Sequence, residues 1–163
     1  MADAKTEIKG SLQFSRSILR ELTKLGELKA AMVIKGQYPN GRSVAQIAAI
    51  QEFGTARIPA RPFVRHALRS VGEVQAVLRA ESAAITSKNR KAPTACRRVA
   101  QAMAALVVRA IDESPGWAKP NAPETVRRKG SDHPLIDTGL LRRSVHWRVV
   151  RGSATAEEGP SVK

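Results

Sequence analysis

The stretch SVHWRVVR, residues 144–151, alternates: Val145, Trp147 and Val149 fall on one side and His146, Arg148 and Val150 on the other. Period two is the pattern of a half-buried strand, and a strand needs a neighbour for its backbone donors and acceptors. Lys29 to Lys35 offers one. It places Ala30, Met32 and Ile34 opposite Ala31 and Val33, then ends at Gly36, Pro39, Asn40 and Gly41, residues that favour a turn. Pairing 29–35 with 144–151 gives a small antiparallel sheet that brings the two ends of the domain together.

The chain between and around these strands reads as helix. Ser15 to Glu27 carries Ile18, Leu19, Leu22 and Leu25 at helical spacing, with Ser15 or Ser17 as N-cap and Gly26 near the end. Ser43 caps a short helix striped by Val44, Ile47, Ala48 and Ile50, which Gly54 terminates. Pro59 and Pro62 keep Thr55 to Pro62 extended, because each lacks a donor and biases its predecessor away from helix. Pro62 also suits a first helical position. A long helix follows with Val64, Ala67, Leu68, Val71, Val74 and Leu78 on its stripe, fading by Ile85. Another, through Cys96, Val99, Ala102, Met103, Leu106, Ala110 and Ile111, forms the spine of the core until Pro115 and Gly116 stop it. Pro115 to Pro134 contains four prolines and few aliphatics, so it reads as a long loop, which a compact domain keeps when it has a task. Asp137 or Thr138 caps a helical turn through Leu140 and Leu141. The fold class is therefore α+β: a single domain over 15–151, a flexible segment at 1–14 and a flexible polar tail at 152–163.

A chain of 163 residues, 42% hydrophobic and 26% charged, fits one globular domain that buries roughly two thirds of its unfolded surface. Cys96 is the only cysteine, so no internal disulfide forms and a reducing site of synthesis is expected. The start MADAKTEIKG has no apolar core of a signal peptide, and Gln101 and Arg109 interrupt the longest apolar stretch, Val99 to Ile111; no membrane segment is expected. The net charge of +14 implies attraction to polyanions, either nucleic acid or acidic protein surfaces. Basic residues occur in nearly every segment, including Arg16, Arg20, Arg97, Arg98, Arg127 to Lys129, Arg142 and Arg143.

Catalytic chemistry finds no foothold in this sequence. His66, His133 and His146 are scattered over a helix, the proline loop and a strand, without the close spacing of a metal pair. Cys96 lies on an apolar helix stripe, as a buried thiol does. Glu81, the pair Asp112 and Glu113, and the pair Glu157 and Glu158 read as solvated surface charges. No glycine-rich loop follows a strand to cradle phosphate. Neither enzyme activity nor a cofactor or metal is expected.

Two segments stand out instead. The first, VAQIAAIQEFGTARIPARPFVRHAL over 44–68, ends its short helix at Glu52-Phe53-Gly54-Thr55 and carries Pro59-Ala60-Arg61-Pro62-Phe63 into the next helix. The second is PLIDTGLLRRS over 134–144. Together, in this order, they resemble the tail-completion or neck proteins of tailed bacteriophages, a head–tail connector family in which EFGT, PARPF and PLxDTGxLxxS recur. The resemblance extends loosely from about Ser15 to Arg151.

From the residues alone, Phe53 and Phe63 flank the stiff link and would pin it to the core, while Arg57 and Arg61 would project outward for subunit contacts. Asp137, Thr138 and Gly139 would cap a turn that also presents Leu141, Arg142 and Arg143 to another protein. The resemblance implies a structural virion protein without catalysis: a homo-oligomeric ring, commonly a hexamer, at the head–tail junction. Such a ring would contact a head-closure or adaptor protein on one side and a tail terminator or tail tube protein on the other. Genomic DNA would pass through its lumen and touch it non-specifically. The loop 115–134 and the tails would order only on assembly. The charge also fits a small basic nucleic-acid-binding protein, for which Trp117, Trp147 and Tyr38 would supplement the phenylalanines in base stacking.

Overall fold

The computed structural model describes residues 16–88 and 90–160; the segment expected to be flexible at 1–14, and Ser15, lie outside them. Strands β1 (Leu28–Ile34) and β2 (Val145–Arg151) pair antiparallel over their whole length, with Ala30 opposite Val149, Met32 opposite Trp147 and Ile34 opposite Val145. These pairs share one face. The alternation of the two strands thus fixes both partner and register, since a slip of one residue would turn every one of those side chains away from the core.

A third strand, β3 (Ala154–Pro160), extends the sheet in the order β1-β2-β3. The sequence reading assigned these residues to a flexible tail, and that is corrected here. Gly152, at φ 60°, makes the tight turn from β2. Polar ties hold the strand: Arg97 pairs with Glu157 at 3.1 Å, and Lys35 and Arg148 both pair with Glu158. Trp147 lies so close over Gly159 that a Cβ there would stand 2.6 Å from Cζ2 of the ring.

Helix α1 (Arg16–Glu27) runs straight into β1, and α2 (Val44–Phe53) follows a turn at Tyr38 to Gly41. The expected single helix after Pro62 is divided into α3 (Phe63–Ala67), a 3-10 turn at Leu68–Ser70, and α4 (Val71–Lys88). Tighter winding over three residues advances the helix phase by about 60°. The apolar stripe is turned with it. Ala84 and Ile85 are buried at the far end, but Leu68, Val71 and Leu78 face outward, Leu68 being 56% exposed.

The core forms around α5 (Ala92–Asp112), about 31 Å long. It packs between the sheet and the helices α1, α3 and α4, so it buries more than one stripe: Ala95, Ala100, Ala104, Val107 and Val108 join Cys96, Val99, Leu106, Ala110 and Ile111. Its many alanines let its neighbours approach closely. No helix among the described residues is long and apolar enough to cross a membrane.

Three buried glutamates tie the helices together. Glu21 accepts the Ala92 N–H at the start of α5 at 2.9 Å, and Glu52 accepts the Val64 and Arg65 N–H groups at the start of α3. Glu81, on α4, is held between Arg90 and Arg98. The expectation that Glu81 is solvated is thus corrected. Asp112, too, is clamped, by both Nε and a terminal nitrogen of Arg142 at 2.6 and 3.0 Å.

Candidate docking groove

The first motif builds a rigid corner. The Glu52 carboxylate supplies two acceptors for the orphan donors of α3 and also takes Nε–H of Arg65 at 3.0 Å, an N-cap delivered from another helix. Gly54, at φ 75° and ψ 179°, occupies backbone territory reserved for glycine, and a Cβ there would sit 2.7 Å from the Ala60 nitrogen. Thr55 closes the turn: its Oγ1 accepts the N–H groups of Arg57 and Ile58. Pro59 and Pro62 then carry the chain in extended form to Phe63, which is fully buried.

Two expectations for this corner are corrected. Arg61 does not project outward; it is 5% exposed. Its guanidinium donates to the carbonyls of Lys119 and Pro120 and to the side chains of Gln51 and Asn121, and burial pushes its pKa down. Phe53 does not pin the link to the core. It is 72% exposed, with the Arg65 guanidinium 5.5 Å from its ring centre. Arg57 is exposed, as expected.

Arg61 explains why the stretch 115–134 is not a plain loop. Trp117 stacks on His66 with ring centres 4.2 Å apart and donates Nε1–H to the Ala110 carbonyl. Arg61 holds Lys119, Pro120 and Asn121. Beyond them Pro123 opens a further helix, α6 (Pro123–Lys129), which ends at Gly130 in the left-handed conformation. The segment is therefore folded against the corner within a single chain, and removing 117–131 would strip a buried guanidinium of three of its four partners.

In the second motif the turn helix α7 (Leu140–Arg143) starts at Gly139, whose φ of 74° puts it in the left-handed region. The Thr138 hydroxyl accepts the Leu140 N–H at 3.4 Å, while Asp137 makes no cap. Leu141 is buried and so is not offered to another protein; Arg142 is engaged by Asp112 while its side chain stays 40% exposed, and Arg143 is exposed.

The two motifs meet across one cavity of about 780 Å³, within the range of about 300–1,000 Å³ usual for ligand clefts. Gln51, Arg57, Ile58, Pro59 and Arg61 contribute from the first motif; Pro134, Leu135, Asp137, Thr138, Leu140 and Leu141 contribute from the second. The turn before α2 adds Tyr38, Asn40 and Arg42, and α6 adds Thr125, Arg128 and Lys129. Five cationic side chains thus face one carboxylate, Asp137.

Arg42, Arg57 and Arg128 are exposed and have no ion-pair partner among the described residues. Lys129 is half-buried and donates to the His133 carbonyl at 2.7 Å; burial lowers its pKa, against the opposing pull of Asp137. Tyr38 is pushed up, by burial first and Asp137 second. The basic run 127–129, expected in a loop, lies instead on α6, and Arg42 carried no signal beyond its charge.

Elsewhere, no group of three His, Cys, Asp or Glu side chains among the described residues is arranged to hold a metal ion, and Ser114 Oγ, on a fully buried residue, lies 3.3 Å from Nδ1 of His133. Cys96 is buried, and desolvation, then Glu157, raises its pKa, which makes it a poor nucleophile. Compared with known protein families, with curated proteins and with solved structures, the chain matches none of them.

Proposed function

We propose that this chain is a structural subunit of a bacteriophage particle, forming a homo-oligomeric ring at the head–tail junction that completes the tail and joins it to the head, without catalysing a reaction. The observation that carries this reading is the set of exposed apolar side chains Leu68, Val71 and Leu78 along the 3-10 turn and α4, with Phe53 exposed at the end of α2. Val71 and Leu78 are seven residues apart and so share one face of α4, and large apolar side chains left exposed together suit a contact with another protein surface. In a ring the covering surface belongs to the next copy, through a heterologous contact that closes on itself.

The motif resemblance supports the same reading, because the residues that carry it build a stiff corner rather than a reaction centre. Head-closure or adaptor protein on one face and tail terminator or tube protein on the other are the partners of that reading, and the free arginines suit non-specific contact with DNA in the lumen. The test is imaging of purified particles with a tagged copy of this chain, together with native mass measurement of the protein and its Leu68→Glu/Leu78→Glu variant. Label at the collar and a multimer lost in the variant are the expected results; absence from the collar overturns the proposal.

The net charge of +14 favours one other reading, a nucleic-acid-binding protein. That reading requires tight, salt-sensitive binding of DNA by the monomer.

A further inference from the structure

We infer that the groove between the two motifs is a binding site for an extended, acidic peptide segment of a partner protein. This inference does not rest on the phage reading: it follows from the composition of the groove. Arg42, Arg57 and Arg128 rim it with their guanidinium groups unpaired among the described residues, whereas Glu21, Glu52, Glu73, Glu81, Asp112, Glu157 and Glu158 are already engaged in ion pairs within the chain. The three free forks are therefore available to carboxylates from outside, and a guanidinium takes a carboxylate in two parallel hydrogen bonds.

The floor argues for a peptide rather than a nucleic acid. Ile47, Ile58, Leu135 and Leu140 line the groove and give apolar side chains between the acids a surface to cover. Asp137 would repel a phosphate chain, which carries a charge at every unit, but it can accept the N–H groups that a peptide backbone supplies. Preorganisation favours binding as well. Arg61 fixes one wall through four internal hydrogen bonds and Gly54 fixes the corner beneath it, so little order remains to be imposed when the segment docks.

The test uses the full-length chain and a fluorescein-labelled synthetic peptide of alternating Asp, Leu and Glu, read by anisotropy at physiological salt. Binding is expected, with about a hundredfold loss in Arg42→Ala/Arg128→Ala, since each charged hydrogen bond removed is worth about tenfold and one is lost at each arginine. Arg69→Ala/Arg79→Ala, exposed cations away from the groove, should bind as the parent does, and the Asn/Gln version of the peptide should not bind. Equal losses in both double variants would mean general charge attraction and overturn the inference. So would a single-stranded DNA oligonucleotide that displaces the peptide, binds more tightly and shows the same dependence on Arg42 and Arg128. Circular dichroism of each variant verifies that the fold is intact; because Arg42 and Arg128 donate no side-chain hydrogen bond among the described residues, it should be.

Discussion

Arg61 donates its Nε–H to the Lys119 carbonyl at 2.7 Å, joining two stretches 58 residues apart in sequence. Its other donors reach Pro120, Asn121 and Gln51, so one side chain fixes the wall of the groove. Lysine has no planar fork with which to reproduce these bonds. Arg61→Lys is expected to lower stability by about 2 kcal/mol and to speed amide exchange selectively in residues 117–122. Unchanged exchange there would mean that something other than Arg61 holds the segment.

Glu52 tests the capping of α3. Alanine at this position leaves the Val64 and Arg65 N–H groups without their acceptor in a partly buried place, which should cost about 1–2 kcal/mol. Glutamine should retain one acceptor and cost less. Urea denaturation midpoints for the two variants give the comparison, and equal losses would assign the effect to the charge on Arg65 rather than to the cap.

How much of this was legible beforehand depended on the kind of interaction involved. The β1–β2 pair could be read because its apolar positions repeat every second residue over seven positions on each strand. Helix α5 could be read because its apolar positions recur at helical spacing. Helix α6, with Val126 alone as a true aliphatic, has no stripe to read. Its signals were instead Pro123 at the first position, Glu124 in the first turn, a basic last turn and Gly130 behind it, all of them end signals. Burial of Arg61 and Glu52 left no local trace, since their partners lie in other segments and each alone looks like a surface charge. The exposure of Leu68 and Leu78 follows from a 3-10 turn that no proline or positive-φ glycine announces.

Strand β3 was missed for a related reason: Ala154–Pro160 has a single β-branched residue, Thr155, and its adhesion comes from Glu157, Glu158 and the Trp147 ring. Gly159→Ala is expected to force a methyl group into the space 2.6 Å from Trp147 Cζ2, displacing the indole and costing about 1–3 kcal/mol. Near-ultraviolet circular dichroism would report the displaced ring. A variant identical to the parent in both signal and stability would mean that the strand is not seated on Trp147 in solution.

Acid should weaken the fold in two separate windows. His146 has a folded pKa below its ordinary 6.5, chiefly through burial and then the nearby Lys35, with a Gly159 backbone hydrogen bond opposing, and its Nδ1 is buried without a partner. The unfolded chain therefore takes up this proton first, so stability is full above pH 6.5 and declines as pH falls from there to the folded pKa. Glu21 works at lower pH. The Ala92 N–H, followed by Lys24, holds its pKa below 4.5, and its contribution, fully present above that value, is lost as pH falls through the folded pKa. Glu73, lowered by Arg109, shares this second window. Chemical denaturation at a series of pH values should thus show one decline beginning near pH 6.5 that His146→Gln removes, and another below pH 4.5 that Glu21→Gln reduces without abolishing. A His146→Gln profile that still falls between pH 6.5 and 5 would place the first transition on another group.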